Sequence, residues 1–245
     1  MNATSRLPRL VASLAGWGGA LALAIGALHL PTSSASETTF KIPPPAADET
    51  ANASGMQTAV FAGGCFWGVQ GVFQRVQGVS QAVSGYSGGK AATARYEMVT
   101  SGMTGHAEAV KITYDPKKVS YGKLLQIYFS VVHDPTQLNR QGPDVGTQYR
   151  SAVFYGDAAQ KSTTEKYIAQ LDAAKAYRGK IVTQVVPLAE FFSAEAYHQD
   201  YLTLNPTQPY IVHHDLPKIV ALKNMFPQEY RSEPALVMAK AAKPQ

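Results

Sequence analysis

Cys65 is the only cysteine among the 245 residues, so any thiol chemistry in this chain must occur there. Gly63 and Gly64 precede it, and Phe66-Trp67-Gly68 follows it. The pattern before the glycines is that of a strand, and apolar residues recur at helical spacing from Val69 to Val76. The pattern therefore predicts a strand-to-helix turn at Cys65, where glycine permits the bend and helix N–H groups stabilise a thiolate, the nucleophilic form of cysteine. A lone cysteine is more often a buried structural residue, but this setting favours a reactive one.

Residues 63–68 resemble the active-site loop of the A-type peptide methionine sulfoxide reductases, whose core motif is Gly-Cys-Phe-Trp-Gly. Further stretches resemble that family in the same order along the chain: Gly-Tyr-Ser-Gly-Gly at 85–89, Thr-Gly-His-Ala-Glu-Ala-Val at 104–110, Gly-Thr-Gln-Tyr-Arg-Ser at 146–151 and Tyr-His-Gln-Asp-Tyr-Leu at 197–202. The resemblance implies thiol-dependent reduction of methionine-S-sulfoxide, free or in proteins, to methionine, and hence repair of oxidised proteins.

Reduction of a sulfoxide requires a nucleophile for the sulfur and an acid for the oxygen. The resemblance assigns the first role to Cys65 and the second to Glu108, whose carboxyl group can donate a proton if burial raises its pKa. Tyr86 and Tyr149 are expected to donate hydrogen bonds to the sulfoxide oxygen, and Asp144 to orient neighbouring groups or a water molecule. Each has an ordinary alternative: a strand glutamate that faces outward, core tyrosines, and a turn aspartate.

The methyl group of the substrate needs an apolar seat. Phe66 and Trp67 are expected to supply it, because contacts between sulfur and aromatic ring edges are favourable. The resemblance of the segment around His198 places this histidine at the substrate-binding site, as support for the residues around it.

The chain lacks a second cysteine that could resolve a sulfenic acid on Cys65 as a disulfide. Many members of the resembled family carry such cysteines near the C-terminus, where this chain has Pro206-Thr207-Gln208-Pro209-Tyr210. The sulfenic acid must then be reduced by an external thiol, either a thioredoxin-like protein or a small thiol.

Other classes of function fit less well. His106-Ala107-Glu108 matches the His-x-Glu of zinc deaminases, but that site requires further cysteines, so we expect no metal and no cofactor. The modest net charge of +5 without a basic stripe disfavours nucleic acid as a partner. The rival function is a cysteine hydrolase or acyl transferase, in which His106, His133 or His198 would activate Cys65. A non-catalytic module that binds sulfur ligands is a third possibility.

The N-terminal residues 1–35 are predicted to be a signal peptide or a retained membrane anchor. Arg6 and Arg9 precede an apolar run from Leu10 to Leu30 that has no charged residue and is long enough to span a bilayer. We therefore expect an exported, periplasmic protein, either soluble after cleavage or anchored to the membrane.

The remaining chain is predicted to hold one catalytic domain at 57–230, which we expect to be monomeric. A Pro- and Ser-rich disordered linker at 36–56 would precede it, and a flexible tail at 231–245 would follow it.

The fold predicted for the domain is α+β, a two-layer sandwich with a mixed sheet and with helical and loop additions at the C-terminus. The family resemblance implies that its core is ferredoxin-like. Its order is strand, helix, strand, strand, helix, strand. The predicted strands are 57–62, 79–86, 106–114, 149–155 and 181–186, and the predicted helical segments are 69–76, 119–132, 158–177, 191–192, 194–204 and 219–226.

Overall fold

The computed structural model describes residues 1, 40–48, 50 and 53–238. The chain divides into two units, Met1–Ser34 and Ala35–Gln245, and the fold below is that of the second. Apart from Met1, the predicted signal peptide or anchor at 1–35 lies outside the described residues. Within the described ranges, no helix combines the length and the apolar character needed to cross a bilayer.

A six-stranded mixed sheet is the framework of the domain. Its strands are β1 (Gln57–Gly63), β2 (Val79–Ser87), β3 (Ala107–Tyr114), β6 (Ser151–Tyr155), β7 (Gln184–Pro187) and β8 (Phe191–Ser193). They lie in the order β7-β6-β1-β3-β2-β8, antiparallel except for the parallel pair β6 and β7. A separate hairpin consists of β4 (Arg140–Gln141) and β5 (Asp144–Val145).

The α-helices are α1 (Phe66–Gln74), α2 (Tyr96–Val99), α3 (Tyr121–Ile127), α4 (Ala158–Ala173), α5 (Tyr201–Leu204) and α6 (Leu216–Met225). A π-helical turn at Tyr128–Val132 extends α3, and a second at Ile211–Asp215 leads into α6. Short 3-10 turns occur at Ala91–Thr93, Thr147–Tyr149 and Ala196–His198. The helix start predicted near Val119 falls at Ser120, whose hydroxyl accepts a hydrogen bond from the Lys123 N–H and caps α3.

The central strands and the helices between them confirm the predicted ferredoxin-like core. In chain order, β1, α1, β2, β3, α3 and β6 form a βαββαβ unit whose strands lie side by side as β6-β1-β3-β2. Because side chains alternate between the faces of a strand, Phe61, Ile112 and Val153 point to the helical layer and join the main core. The opposite face carries a smaller apolar cluster around Val60 and Phe154.

The same alternation sets the position of two predicted site residues. Glu108 lies on β3 on the face shared with Val110 and Ile112, which pack in the helical layer. Tyr86 on β2 is its direct partner across the strand pair. The sheet thus carries both residues to the layer that contains α1, whose first residue follows Cys65.

Part of the predicted disordered linker at 36–56 is docked on the domain. The side chain of Ile42 is 2% exposed, and its carbonyl accepts a hydrogen bond from Gln126 Nε2 at 2.7 Å. The Tyr167 hydroxyl donates to the carbonyl of Pro43 at 2.6 Å. Composition did not reveal this contact, because it depends on a single apolar residue of the Pro-rich segment, Ile42. That residue packs in the core beside α3, which is distant in sequence.

Two C-terminal predictions also differ from the structure. The predicted flexible tail begins with residues that are held: Arg231 donates to the carbonyl of Gln74, and the carboxylate of Asp200 accepts the N–H groups of Val237 and Met238. Phe191 and Phe192, predicted as helical, instead belong to strand β8, because this segment pairs with the otherwise open edge of β2.

Candidate active site

Cys65 lies at the N-terminus of α1, as the glycine pattern predicted. It is the N-cap residue of the helix and is 9% exposed. Gly64 before it has a φ of 90°, in the region that favours glycine, and a Cβ there would lie 2.7 Å from the Gln141 side chain. The turn therefore requires glycine both for its backbone conformation and for its close approach to the hairpin.

The charge state of the free Cys65 thiol differs from the sequence-based expectation of a stabilised thiolate. The backbone N–H of Trp67 lowers the pKa of the thiol, which is the effect expected at a helix N-terminus, although Cys65 makes no capping hydrogen bond through its side chain. Burial has the larger effect and raises the pKa well above the ordinary value, and the nearby Glu108, Asp215 and Asp144 carboxylates raise it further. At neutral pH the resting group is therefore a protonated thiol.

Glu108 lies next to Cys65 and carries the features of a proton donor. It is 2% exposed, and its Oε2 accepts the N–H of Phe66 at 3.0 Å, in the first turn of α1. Burial raises the pKa of its carboxyl group to about 8, although the Phe66 N–H lowers it and the charge of Asp144 adds to the rise. The carboxyl group is therefore mostly protonated at pH 7.

Asp144 and Tyr149, from the segment after α3, lie close enough to Cys65 and Glu108 for their charges to interact. Asp144 is on β5 and is half-buried, and the Tyr210 hydroxyl donates a hydrogen bond to its Oδ2. Burial raises the pKa of Asp144, against the effects of this hydrogen bond and of the Lys218 charge. Tyr149 ends the 3-10 turn after β5, and its pKa is raised by burial and by the charges of Glu108, Asp144 and Cys65.

The predicted apolar seat is an aromatic cluster on the first turn of α1. The indole N–H of Trp67 donates to His198 Nδ1 at 3.1 Å, and the indole ring stacks on Tyr201 at 3.8 Å. The rings of Phe66 and His198 are 5.0 Å apart. Since Nδ1 accepts this bond, the neutral His198 ring carries its proton on Nε2, and its role is to hold Trp67 in place.

Tyr86 differs from its prediction as a donor to the sulfoxide oxygen. Its hydroxyl donates to Glu195 Oε2 at 2.8 Å, so its one proton is already engaged. The other oxygen of Glu195 accepts the N–H of Tyr96, the first residue of α2. Tyr86 is thereby part of the support for Tyr96.

Tyr96 is a site residue that the sequence reasoning missed. It is half-buried, its pKa is raised by burial and by the charges of Glu108 and Cys65, and its ring lies 4.4 Å from that of His198. It also lies close enough to Tyr149 for its charge to raise the pKa of that phenol. One signal was present, because Tyr96 is the only aromatic residue between positions 88 and 105.

The histidines of the rival hydrolase function make other contacts. His106 pairs with backbone groups of Gly89 and Lys90. His133 Nε2 lies 2.7 Å from Ser151 Oγ, and burial lowers the pKa of His133 to about 3. In the described part of the chain, none of His106, His133 and His198 forms a hydrogen bond with Cys65. The Cys–His pair that a hydrolase requires is thus not present among the described residues.

Among the described residues, no group of three or more His, Cys, Asp and Glu side chains is arranged to hold a metal ion.

Comparison with known proteins agrees with this site. Residues 57–230 match the sequence profile of the family Peptide methionine sulfoxide reductase. The chain is 62% identical over 192 residues to peptide methionine sulfoxide reductase MsrA 2 of Mesorhizobium japonicum, covering 78% of this chain and 98% of the relative. It is 45% identical over 216 residues to the Synechocystis protein of the same name, covering 87% and 99% of the two chains.

Two solved structures share the fold. Mxr1 of Saccharomyces cerevisiae in its reduced form has a TM-score of 0.58 at 32% identity, with 64% of this chain and 90% of that chain covered. Methionine sulfoxide reductase A of Corynebacterium diphtheriae has a TM-score of 0.55 at 35% identity, with 68% and 84% covered.

The lone cysteine beside a buried carboxyl group, together with these relatives, identifies the chain as a thiol-dependent oxidoreductase. The chain belongs to the peptide methionine sulfoxide reductase family. Its activity is the thiol-dependent reduction of methionine sulfoxide to methionine.

Proposed function

We propose that Cys65 and Glu108 carry out the chemical step on methionine-S-sulfoxide, either free or in oxidised proteins. The observation that carries this proposal is the placement of Glu108 on the Phe66 N–H, directly beside the only thiol. The sulfur of Cys65 attacks the sulfoxide sulfur, and the Glu108 carboxyl group protonates the oxygen as the S–O bond of the substrate breaks. The oxygen takes a second proton, that of the thiol, and leaves as water, and water then attacks the sulfur of Cys65 in the S–S-bonded intermediate. The S–S bond breaks, its electron pair passes to the substrate sulfur, methionine leaves, Cys65 becomes a sulfenic acid, and Glu108 regains its proton.

The surrounding residues orient the sulfoxide. Tyr96 and Tyr149 donate hydrogen bonds to its oxygen, because burial keeps both phenols protonated. Asp144, held by the Tyr210 hydroxyl, orients a water molecule or a neighbouring donor. Phe66 and Trp67 seat the methyl group, and the bond between Trp67 and His198 fixes the indole plane.

An external thiol completes the cycle. It attacks the sulfenic acid, releases water and forms a mixed disulfide, which a second thiol then reduces to restore Cys65. The absence of a second cysteine from the chain supports this route. For an exported protein, a thioredoxin-like protein is the natural donor, and small thiols also serve.

A single experiment tests the substrate and the cycle together. Reduced enzyme mixed with excess sulfoxide, without added reductant, should release one methionine per enzyme from the S epimer and none from the R epimer. Mass spectrometry with a sulfenic-acid trap should find the adduct on Cys65, and added dithiothreitol should restart turnover.

Two results would contradict this proposal. Release of two methionines per enzyme without reductant would exclude the single-thiol cycle, and equal consumption of both epimers would exclude the assigned stereochemistry. Enzyme alkylated on Cys65 beforehand is the control and should release no methionine.

The location is also part of the proposal: the protein acts as a monomer outside the cytoplasm, after export by its N-terminal segment. The charge-free run from Leu10 to Leu30 behind two arginines supports export. Expressed from its full gene, the protein should be recovered in the periplasmic fraction. Its intact mass should show either cleavage near Ala35 or a retained N-terminus in the membrane fraction. Recovery of the full-length chain from the cytoplasm would contradict export.

A further inference from the structure

Asp215 and Lys218 form a buried ion pair in the segment after Pro206. Asp215 Oδ1 lies 3.4 Å from Lys218 Nζ, and the two residues are 0% and 4% exposed. Removing both charges from water costs free energy that their attraction need not recover, so a buried ion pair is weak support for a purely stabilising role. The place of this pair indicates a different role.

The pair lies against the helix turn that follows the catalytic thiol. Gly68 is the third residue of α1, and a Cβ at that position would lie 2.1 Å from Asp215 Oδ1 and 3.2 Å from Lys218 Nζ. Only glycine leaves room for the carboxylate there. A negative charge at this end of a helix is favourable because the unpaired N–H groups give the N-terminus a partial positive charge.

Asp215 is one of several ionisable groups around Cys65, which come from several parts of the chain. The charge of Asp215 raises the pKa of both Cys65 and Glu108, whereas the charge of Lys218 lowers the pKa of Asp144. The ionisable groups that surround the thiol or act on its nearest carboxyl groups are Tyr96 of α2, Glu108 of β3, Asp144 of β5, Tyr149 of the following turn, Tyr210, His214 and Asp215 of the segment before α6, and Lys218 of α6.

We infer that Asp215, held by Lys218, is a positioning residue that retains the protons of Cys65 and Glu108 until a sulfoxide arrives. This inference rests on the proposed function of those two residues. Conversion of thiol and sulfoxide to sulfenic acid and methionine neither consumes nor releases a proton. If Cys65 and Glu108 are both protonated when the sulfoxide binds, no proton from solvent is needed. The segment after Pro206, which has no resolving cysteine, thus contributes the charge that keeps these two groups protonated.

The test measures the thiol itself and needs no sulfoxide. Because Cys65 is the only thiol, the rate of its alkylation by iodoacetamide against pH reports its ionisation directly. Asp215→Asn should move the midpoint of this profile to lower pH, and a midpoint one pH unit lower means a thiolate fraction about tenfold larger at neutral pH. The falling alkaline limb of sulfoxide reduction should move in the same direction, because Glu108 also loses the negative neighbour.

A double variant guards against misfolding. Asp215→Asn combined with Lys218→Met removes the pair without leaving one buried charge unpaired, and should show the same downward shift. Lys123→Met is the matched control, since it breaks the ion pair of Lys123 with Glu229, at 3.1 Å, and should leave the midpoint unchanged. An unchanged or higher midpoint in the double variant, with a native circular dichroism spectrum, would overturn the inference whatever the sulfoxide activity.

Discussion

Replacing Cys65 with serine should abolish reduction of methionine sulfoxide while the fold is retained. A hydroxyl group is a far weaker nucleophile towards sulfur, and no other thiol in the chain can take over. Loss of a catalytic nucleophile costs on the order of 10⁶-fold in well-studied hydrolases, so we expect no turnover above background. The substitution is nearly isosteric, and the strand and helix on either side of residue 65 pack through other side chains, so the structure should persist.

The measurement is turnover of the separated S epimer with dithiothreitol, alongside circular dichroism and thermal unfolding. Cys65→Ala is the companion variant and should be equally inactive. Residual turnover in both folded variants would show that the nucleophile lies elsewhere. Retained binding of the sulfoxide by Cys65→Ser would show that recognition is built by the aromatic cluster rather than by the thiol.

Glu108→Gln should slow formation of the sulfenic acid by roughly 10²- to 10⁴-fold near neutral pH, the usual range for a general acid. The wild-type carboxyl group has a pKa of about 8, so it is protonated below that pH and loses its proton above it. The wild-type rate should therefore fall as pH rises through about 8, and the variant should lack this limb. The two rates should converge above pH 8, and also in acid, where solvent supplies the proton.

Single-turnover kinetics against pH provide the measurement, with Glu165→Gln on the exposed side of α4 as the control. A change confined to substrate affinity would show that Glu108 only packs. Stability offers a second readout. Because the pKa of folded Glu108 is raised above its unfolded value, its contribution is present at low pH and is lost as pH rises through about 8. The glutamine variant should not show that loss.

The features that local sequence could predict are those set by short periodic patterns. The strand, the two glycines and the helix start place Cys65 at a turn whatever the rest of the chain does. The alternation along residues 106–114 likewise predicts a strand, and the structure confirms it as β3 with Glu108 inside. The order of these elements predicted the two-layer α+β arrangement, and the family resemblance added the ferredoxin-like core.

The features that sequence could not predict depend on contacts between distant segments. Tyr96 reaches the site from a loop without periodicity, held by Glu195 from the far end of the chain. Asp215 meets Gly68 across a similar separation. The protonation of Cys65 is the clearest case, since a helix N-terminus favours the thiolate, and only the sum of burial and neighbouring carboxylates reverses that preference.

The protonated state of Cys65 also bears on how a repair enzyme survives the conditions that create its substrate. Hydrogen peroxide oxidises thiolates rather than thiols, and cysteine that is oxidised beyond the sulfenic acid is lost to catalysis. With its thiol protonated and 91% of its surface covered, Cys65 offers peroxide little to attack. Burial therefore keeps the free enzyme's only thiol unreactive towards peroxide in solution, while a sulfoxide bound in the site can still react with it.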